Sequence, residues 1–387
     1  MMAAHKLDAA TMVAEAEADA GTDDWGEPSG YWREGLEVLV DALESEARLS
    51  ETGRMAMGVR LGQYLRNRLA VVDWRAGHGD ELDVAIEGPL IITGLPRTGT
   101  TALSNLLAAD PATRSLRVWE SGSPVPPPEA ATQHDDDRIA ATQAGLDIFE
   151  QMVPAMKAMH HDTATSTAES IDLLGMSFHT HHFAGMADVP SYDQWWLECD
   201  MVPAYRFHRE VLEMLGSRCP PGRWHLKNPP DLFCLEAVAA VYPEARFVWT
   251  HRHPADVLAS VASLVATVQT LVTDDVDAHG VGAHQLDLWA TAVERGMRWR
   301  ADHPDRFVDV AMVDIVSRPV EAVAGIYEAA GWELTADAEQ AMATWVEANA
   351  PGRHGEHRPD PAEFGLDRAR ITERFVEYVD RFGLEET

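Results

Sequence analysis

The stretch Ile91–Pro111, IITGLPRTGTTALSNLLAADP, decides how this chain is read. It begins inside a short apolar run, Pro89–Leu95, which reads as a buried strand closing on Gly94. It ends in a segment with Leu103, Leu106 and Leu107 on one helical face, stopped at Asp110-Pro111. Between them lies the loop Gly94–Thr101. Its glycines let backbone N–H groups approach an anion, and the following helix adds the positive end of its dipole. A Walker loop places lysine and then Ser or Thr after its last glycine. Here Gly99 is followed by Thr100 and Thr101, and the cation is Arg97. A tight strand-to-helix turn explains the glycines alone; two hydroxyls and an arginine favour an anion of the phosphate type.

The alternation continues outward from this loop. Ser115–Glu120 (SLRVWE) reads as a second short strand, followed by a proline-rich loop that cannot supply a full set of backbone donors. A mostly helical middle runs from Asp137 to about Leu215. Then come RWHLK (Arg223–Lys227), a proline-started helix through Tyr242, RFVWT (Arg246–Thr250), a helix around Val257–Leu264, the strand DRFVDVAMV from Asp305, and a helix from Pro319. Strands alternating with helices predict an α/β fold with a mainly parallel sheet covered on both faces, binding ligands at the carboxyl ends of its strands. Residues 1–88 carry leucines at helical spacing (Leu36, Leu39, Leu43) and read as a helical N-terminal extension to an α/β domain over 89–387.

Composition narrows the ligand. Acidic residues outnumber basic ones by 63 to 31, a net charge of −32, which argues against nonspecific binding to nucleic acid or anionic lipid. A local basic cluster is therefore informative. Only three lysines occur, and Lys227 stands between an apolar run and Asn-Pro-Pro. Arg252 precedes Pro254 at an expected helix start, with Ser260 about two turns in, a pairing suited to a second phosphate. Glu120 is a carboxylate at an expected strand end. Taken singly, an exposed arginine at a cap, a solvated lysine and a surface acid account for these residues equally well. No secretory or membrane-spanning segment is apparent and the three cysteines lack CxxC spacing, so a cytoplasmic protein with free thiols and no membrane span is expected.

Together, GLPRTGTT (Gly94–Thr101), LKNP (Leu226–Pro229), HRHP (His251–Pro254) through Ser260, and EFGL (Glu363–Leu366) resemble the bacterial branch of the sulfotransferases that use 3′-phosphoadenosine 5′-phosphosulfate, PAPS. The helical preface and PSYDQWW (Pro190–Trp196) are also similar, so the resemblance spans nearly the whole chain. It implies a P-loop-NTPase-like fold and transfer of a sulfuryl group from PAPS to the hydroxyl of a small acceptor, leaving PAP, without a metal. It implies that Arg97, Thr98, Gly99, Thr100 and Thr101 hold the 5′ end and that Arg252 and Ser260 hold the 3′-phosphate. It makes Arg97 and Lys227 the candidates for stabilising the leaving oxygen. For the base, Glu120 is preferred and His160 is the reserve. Arg353, in the basic stretch Gly352–Pro359, either closes over the 3′-phosphate or belongs to a solvated turn. Two departures stand out: His253 replaces a usual aspartate, and Ala311–Val316 lacks an expected tyrosine.

The acceptor is less legible. Met152, Met156, Met159, Met176, Phe178, Phe183, Trp195 and Trp196 suit either a pocket for a lipid-like or natural-product alcohol or ordinary core. The histidines of HTHH (His179–His182) suit a pocket wall better than a metal. The alternatives are a P-loop kinase or NTPase using Val308–Asp314 as a magnesium-binding strand, or a nucleotide-binding protein without turnover.

Overall fold

The computed structural model describes residues 6–28, 30–82, 84–159, 161–219, 222–349 and 357–385. The leucine-spaced N-terminal segments form helices α1 (Ala9–Ala20), α2 (Tyr31–Ser45) and α3 (Glu51–Gly77). Ser50 caps α3 by accepting from the Gly53 N–H, so Ser-Glu-Thr-Gly opens that helix.

Strand β1 (Leu90–Gly94) follows, then helix α4 (Thr100–Leu107), β2 (Thr113–Arg114), β3 (Arg223–Lys227), β4 (Arg246–His251) and β5 (Phe307–Ala311). Among the described residues these five strands form one parallel sheet in the order β2-β3-β1-β4-β5. As the central strand, β1 is buried along its whole length, which is why it reads as an unbroken apolar run. Its side chains alternate between two cores. Leu90 and Ile92 pack with Leu103, Leu106 and Leu107 of α4 and with Val248 and Val310. Ile91 faces the larger core, shared with Trp32, Leu36, Leu61 and Leu65 of the N-terminal helices. The result is a P-loop-like α/β sandwich flanked on both faces by helices.

Chain order moves from β1 to the edge at β2, back to β3, and then across β1 to β4. The carboxyl end of β1 is therefore the switch point where the connections diverge.

Two local expectations are overturned. Of the segment Ser115–Glu120, none is strand: β2 is confined to Thr113–Arg114, and Val118–Gly122 forms a short helix, α5. The chain turns because the Val118 and Trp119 N–H groups donate to the carbonyls of Ser166 and Ala164, a remote segment, instead of to a strand neighbour. Glu120 consequently lies in a helical first turn, not at a strand end. After β4, a separate 3-10 turn at Pro254–Asp256 precedes the helix Leu258–Gln269, so Ser260 lies in that helix's first turn rather than two turns in.

Candidate active site

The loop between β1 and α4 is fixed by conformations that its glycines permit. Gly94 has φ +135°, and a Cβ there would sit 2.6 Å from the Thr250 carbonyl oxygen, so β1 and β4 approach more closely than any side chain allows. Arg97 and Gly99 both have positive φ, +67° and +92°. For arginine this conformation is uncommon and is retained where surroundings enforce it. Thr98 does part of that work: its buried hydroxyl donates to the Leu95 carbonyl at 2.6 Å and lies 2.6 Å from the Thr250 hydroxyl. Its side chain thus ties the loop to β4. Gly99 caps α4 with no side-chain hydrogen bond to the helix's first-turn N–H groups.

Arg97 reaches across to the second motif. Its Nε donates to Ser260 Oγ at 3.1 Å, and its Nη1 donates to the Met159 carbonyl. Burial, and then the nearby Arg252 charge, lower the Arg97 guanidinium below its ordinary basicity. Arg252 has neither a hydrogen-bond nor a carboxylate partner among the described residues. Two guanidinium groups held together without an intervening acid form a site that attracts anions.

The third cation joins them at the end of β3. Lys227 Nζ donates to Thr101 Oγ1 at 3.3 Å and to Glu169 Oε1 at 3.1 Å. Its ammonium is 1% exposed, whereas the Glu169 side chain is 21% exposed. The Glu169 backbone bridges Lys227 in parallel register, and the Ser170 N–H donates to the Lys227 carbonyl at 3.3 Å. Nothing in the local sequence marked Glu169; it is found only through this pairing.

The other residues fare differently. Glu120 is fully buried, and both of its oxygens accept from Arg114, at 2.6 and 2.9 Å. Oε2 also accepts from the Arg117 N–H at 3.0 Å. His160 and Arg353 lie outside the described residues. The chain nevertheless returns to the site at His357, whose Nε2 is 2.9 Å from Ser263 Oγ, one turn beyond Ser260. Burial and then the Arg97 charge lower the His357 imidazole below its usual value. His253 accepts from the Ala255 N–H through Nδ1 at 3.2 Å, performing the cap that an aspartate commonly supplies.

Behind Lys227, Asp231 accepts from the Tyr205 hydroxyl at 2.5 Å and from Asn228 Nδ2, and its desolvation pushes its carboxyl up to about 7. The acids of the kinase alternative are committed elsewhere. Asp309 pairs with Arg300 at 2.5 Å through each oxygen and with His251 at 2.9 Å, while Asp314 pairs with Arg318 one turn along its own helix. Among the described residues no group of three or more His, Cys, Asp or Glu side chains is placed to hold a metal. In HTHH, His179 Nδ1 donates to the Ser177 carbonyl at 2.6 Å, and His181 lies 3.4 Å from Asp193. Met176, Phe178, Phe183 and Trp196 are buried in the larger core.

The Thr-rich loop, Lys227 and the Arg97–Ser260 contact thus converge at the carboxyl ends of β1, β3 and β4. A model of the sulfotransferase family matches residues 89–337. The chain belongs to the sulfotransferase family. Its structure is similar to that of the sulfotransferase STF1 from Mycobacterium tuberculosis H37Rv, with 33% identity over 96% of this chain and 99% of that one and a TM-score of 0.86. It is also similar to STF9 from Mycobacterium avium, with 29% identity, 97% of each chain covered and a TM-score of 0.90. A comparison with curated proteins finds no match. For this sulfotransferase, no helix among the described residues is long and apolar enough to cross a membrane.

Proposed function

We propose that this sulfotransferase transfers the sulfuryl group of PAPS to a hydroxyl of a small, apolar acceptor, releasing PAP. The observation that carries this reading is the 3.1 Å contact between Arg97 and Ser260, residues of two motifs 163 positions apart. It supports a single nucleotide held at both ribose ends. The uncapped N-terminus of α4, with Thr100 and Thr101, receives the 5′-phosphate, while Arg252 and Ser260 receive the 3′-phosphate. Thr98 and Gly99 contribute by setting the loop's backbone.

In the reaction the acceptor oxygen bonds to sulfur and the bond from sulfur to the phosphate oxygen breaks. The electron pair leaves on that bridging oxygen, where Arg97 and Lys227 stabilise the developing charge. The acceptor's proton goes to a carboxylate. Of the two carboxylates considered, Glu169 suits the task better than Glu120. It is partly exposed and held by one bond from Lys227, whereas both oxygens of Glu120 are taken by Arg114. When Lys227 turns to the bridging oxygen, its bond to Glu169 breaks and frees that oxygen for the proton. The apolar character of the acceptor rests on Met159, whose carbonyl accepts from Arg97, on Met156 in the same short helix, and on the exposed Ile148 and Met152 of the preceding helix, Asp137–Met152.

Thermal-shift measurements with PAP, ADP and ATP, with and without Mg²⁺, test the donor. Metal-independent stabilisation by PAP well above that by ADP supports the reading. A preference for Mg²⁺-ATP overturns it.

A further inference from the structure

Guanidinium groups also come together away from the site at β1. At the sheet edge, beside β2, a cavity of about 290 Å³ is lined by Thr113, Arg114, Ser115, Arg117, His134 and Thr165, with Ala108 of the α4 end completing the wall. In a chain carrying −32, such a polar, cation-bearing cavity needs a cause.

Charge bookkeeping supplies one. Arg114 is fixed: it pairs with Glu120 through two bonds and lies with its guanidinium carbon 4.9 Å from the Trp224 ring centroid. Arg117 has no carboxylate within ion-pair distance among the described residues, and its one side-chain hydrogen bond runs from Nη1 to His134 Nδ1 at 3.3 Å. The single negative charge of Glu120 therefore serves two guanidinium groups, leaving a net charge of about +1. Burial, and then the Arg114 charge, lower Arg117 below its ordinary basicity, as Arg252 does for Arg97.

The donors match the charge. Most of the Arg117 N–H groups are unused, and the Ser115 and Thr165 hydroxyls engage no partner among the described residues. Because His134 Nδ1 accepts from Arg117, its other nitrogen carries the proton and is a further donor. The α4 C-terminus does not oppose an anion here, since Thr113 Oγ1 donates to the carbonyls of Leu107 and Asp110 at 2.8 and 3.0 Å.

We infer that this cavity is a second oxyanion subsite, taking a tetrahedral sulfate or phosphate group between Arg117, Ser115, His134 and Thr165. It is separate from the nucleotide cluster. From Thr101 to Ala108 α4 runs about 10 Å, which sets the two apart along the helix. The group comes either from a free ion or from the far end of an elongated anionic acceptor.

Inorganic sulfate, titrated against chloride at constant ionic strength and read by thermal shift, tests the subsite in wild type, Arg117→Met and Arg97→Met. The expected result is that each substitution removes part of the sulfate-specific rise, with sulfate binding at the edge cavity weakened about tenfold or more by Arg117→Met. An unchanged rise in Arg117→Met, with its complete loss in Arg97→Met, overturns the inference while leaving the nucleotide site intact. Should Arg117→Met fold poorly, wild-type crystals soaked in selenate decide: anomalous density within hydrogen-bond reach of Arg117 is expected, and its absence beside an occupied Arg97 site overturns the inference. Kinetics then separate the sources. A KM raised about tenfold by Arg117→Met only for acceptors bearing an anionic end assigns the subsite to the acceptor, and an unchanged KM assigns it to the free ion.

Discussion

Two acid–base pairs lie near the ends of neighbouring strands, and they are built to opposite specifications. Arg114 and Glu120, beyond β2, are both buried and joined by two bonds, with a further backbone N–H on the same carboxylate. Lys227 and Glu169, at the end of β3, share one bond; the lysine divides its donors with Thr101, and the glutamate keeps one oxygen unengaged by Lys227. A saturated pair has nothing left to offer a substrate and holds the fold. An unsaturated pair facing the loop can exchange its partner for a reacting atom. The sequence marks Glu120 and Lys227 but neither partner, so it does not distinguish the two pairs.

The largest expected effect breaks the pair at β3. Glu169→Gln lowers kcat by about 10²–10⁴-fold while PAP affinity stays near wild type, as measured by single-turnover sulfation and calorimetry. Comparable turnover in this variant would return the base role to Glu120 or to His160. The corresponding change at β2, Glu120→Gln, leaves Arg114 buried beside a neutral partner. It costs about 3–5 kcal/mol of stability in denaturant titration, with activity falling only as the folded fraction falls. A loss of kcat in fully folded Glu120→Gln would erase the contrast.

Asp231 sharpens the comparison, being a buried acid held by Tyr205 and Asn228 with no cationic partner among the described residues. Its folded carboxyl, at about 7, stands above the ordinary value of 3.8, so the folded state holds the proton more tightly. Its contribution to stability is complete below pH ~4 and is lost as pH rises through 7. Asp231→Asn is therefore expected to be the more stable protein at pH 8, by on the order of a few kcal/mol, with the advantage shrinking toward pH 4. Melting curves across that range check the sign. The smallest effect is expected at His253, which serves the Ala255 N–H. His253→Asp substitutes one acceptor for another and changes stability by less than about 1 kcal/mol.

The sheet was legible wherever burial on both faces forces an apolar run, as in Ile91–Thr93 and Phe247–Trp249. The cation-bearing segments were legible because glycine, proline and arginine at fixed spacing leave few alternatives. Ser115–Glu120 misled because Leu116 and Val118 alternate as an edge strand does, while the N–H groups that bend it donate to Ala164 and Ser166, some 45 residues away. Glu169 escaped for the same reason: only its bridge to Lys227 marks it, and that bridge joins segments 58 residues apart. Ser260 was placed in the right helix but a turn too deep, since the 3-10 turn at Pro254 is separate from the helix that follows.

The central claim is that one nucleotide is gripped at both ends of its ribose. A crystal structure with PAP tests it directly. The account predicts the 5′-phosphate against the α4 N-terminus with Thr100 and Thr101, and the 3′-phosphate within hydrogen-bond distance of Arg252 and Ser260. A PAP molecule that meets one cluster and leaves the other untouched would contradict it.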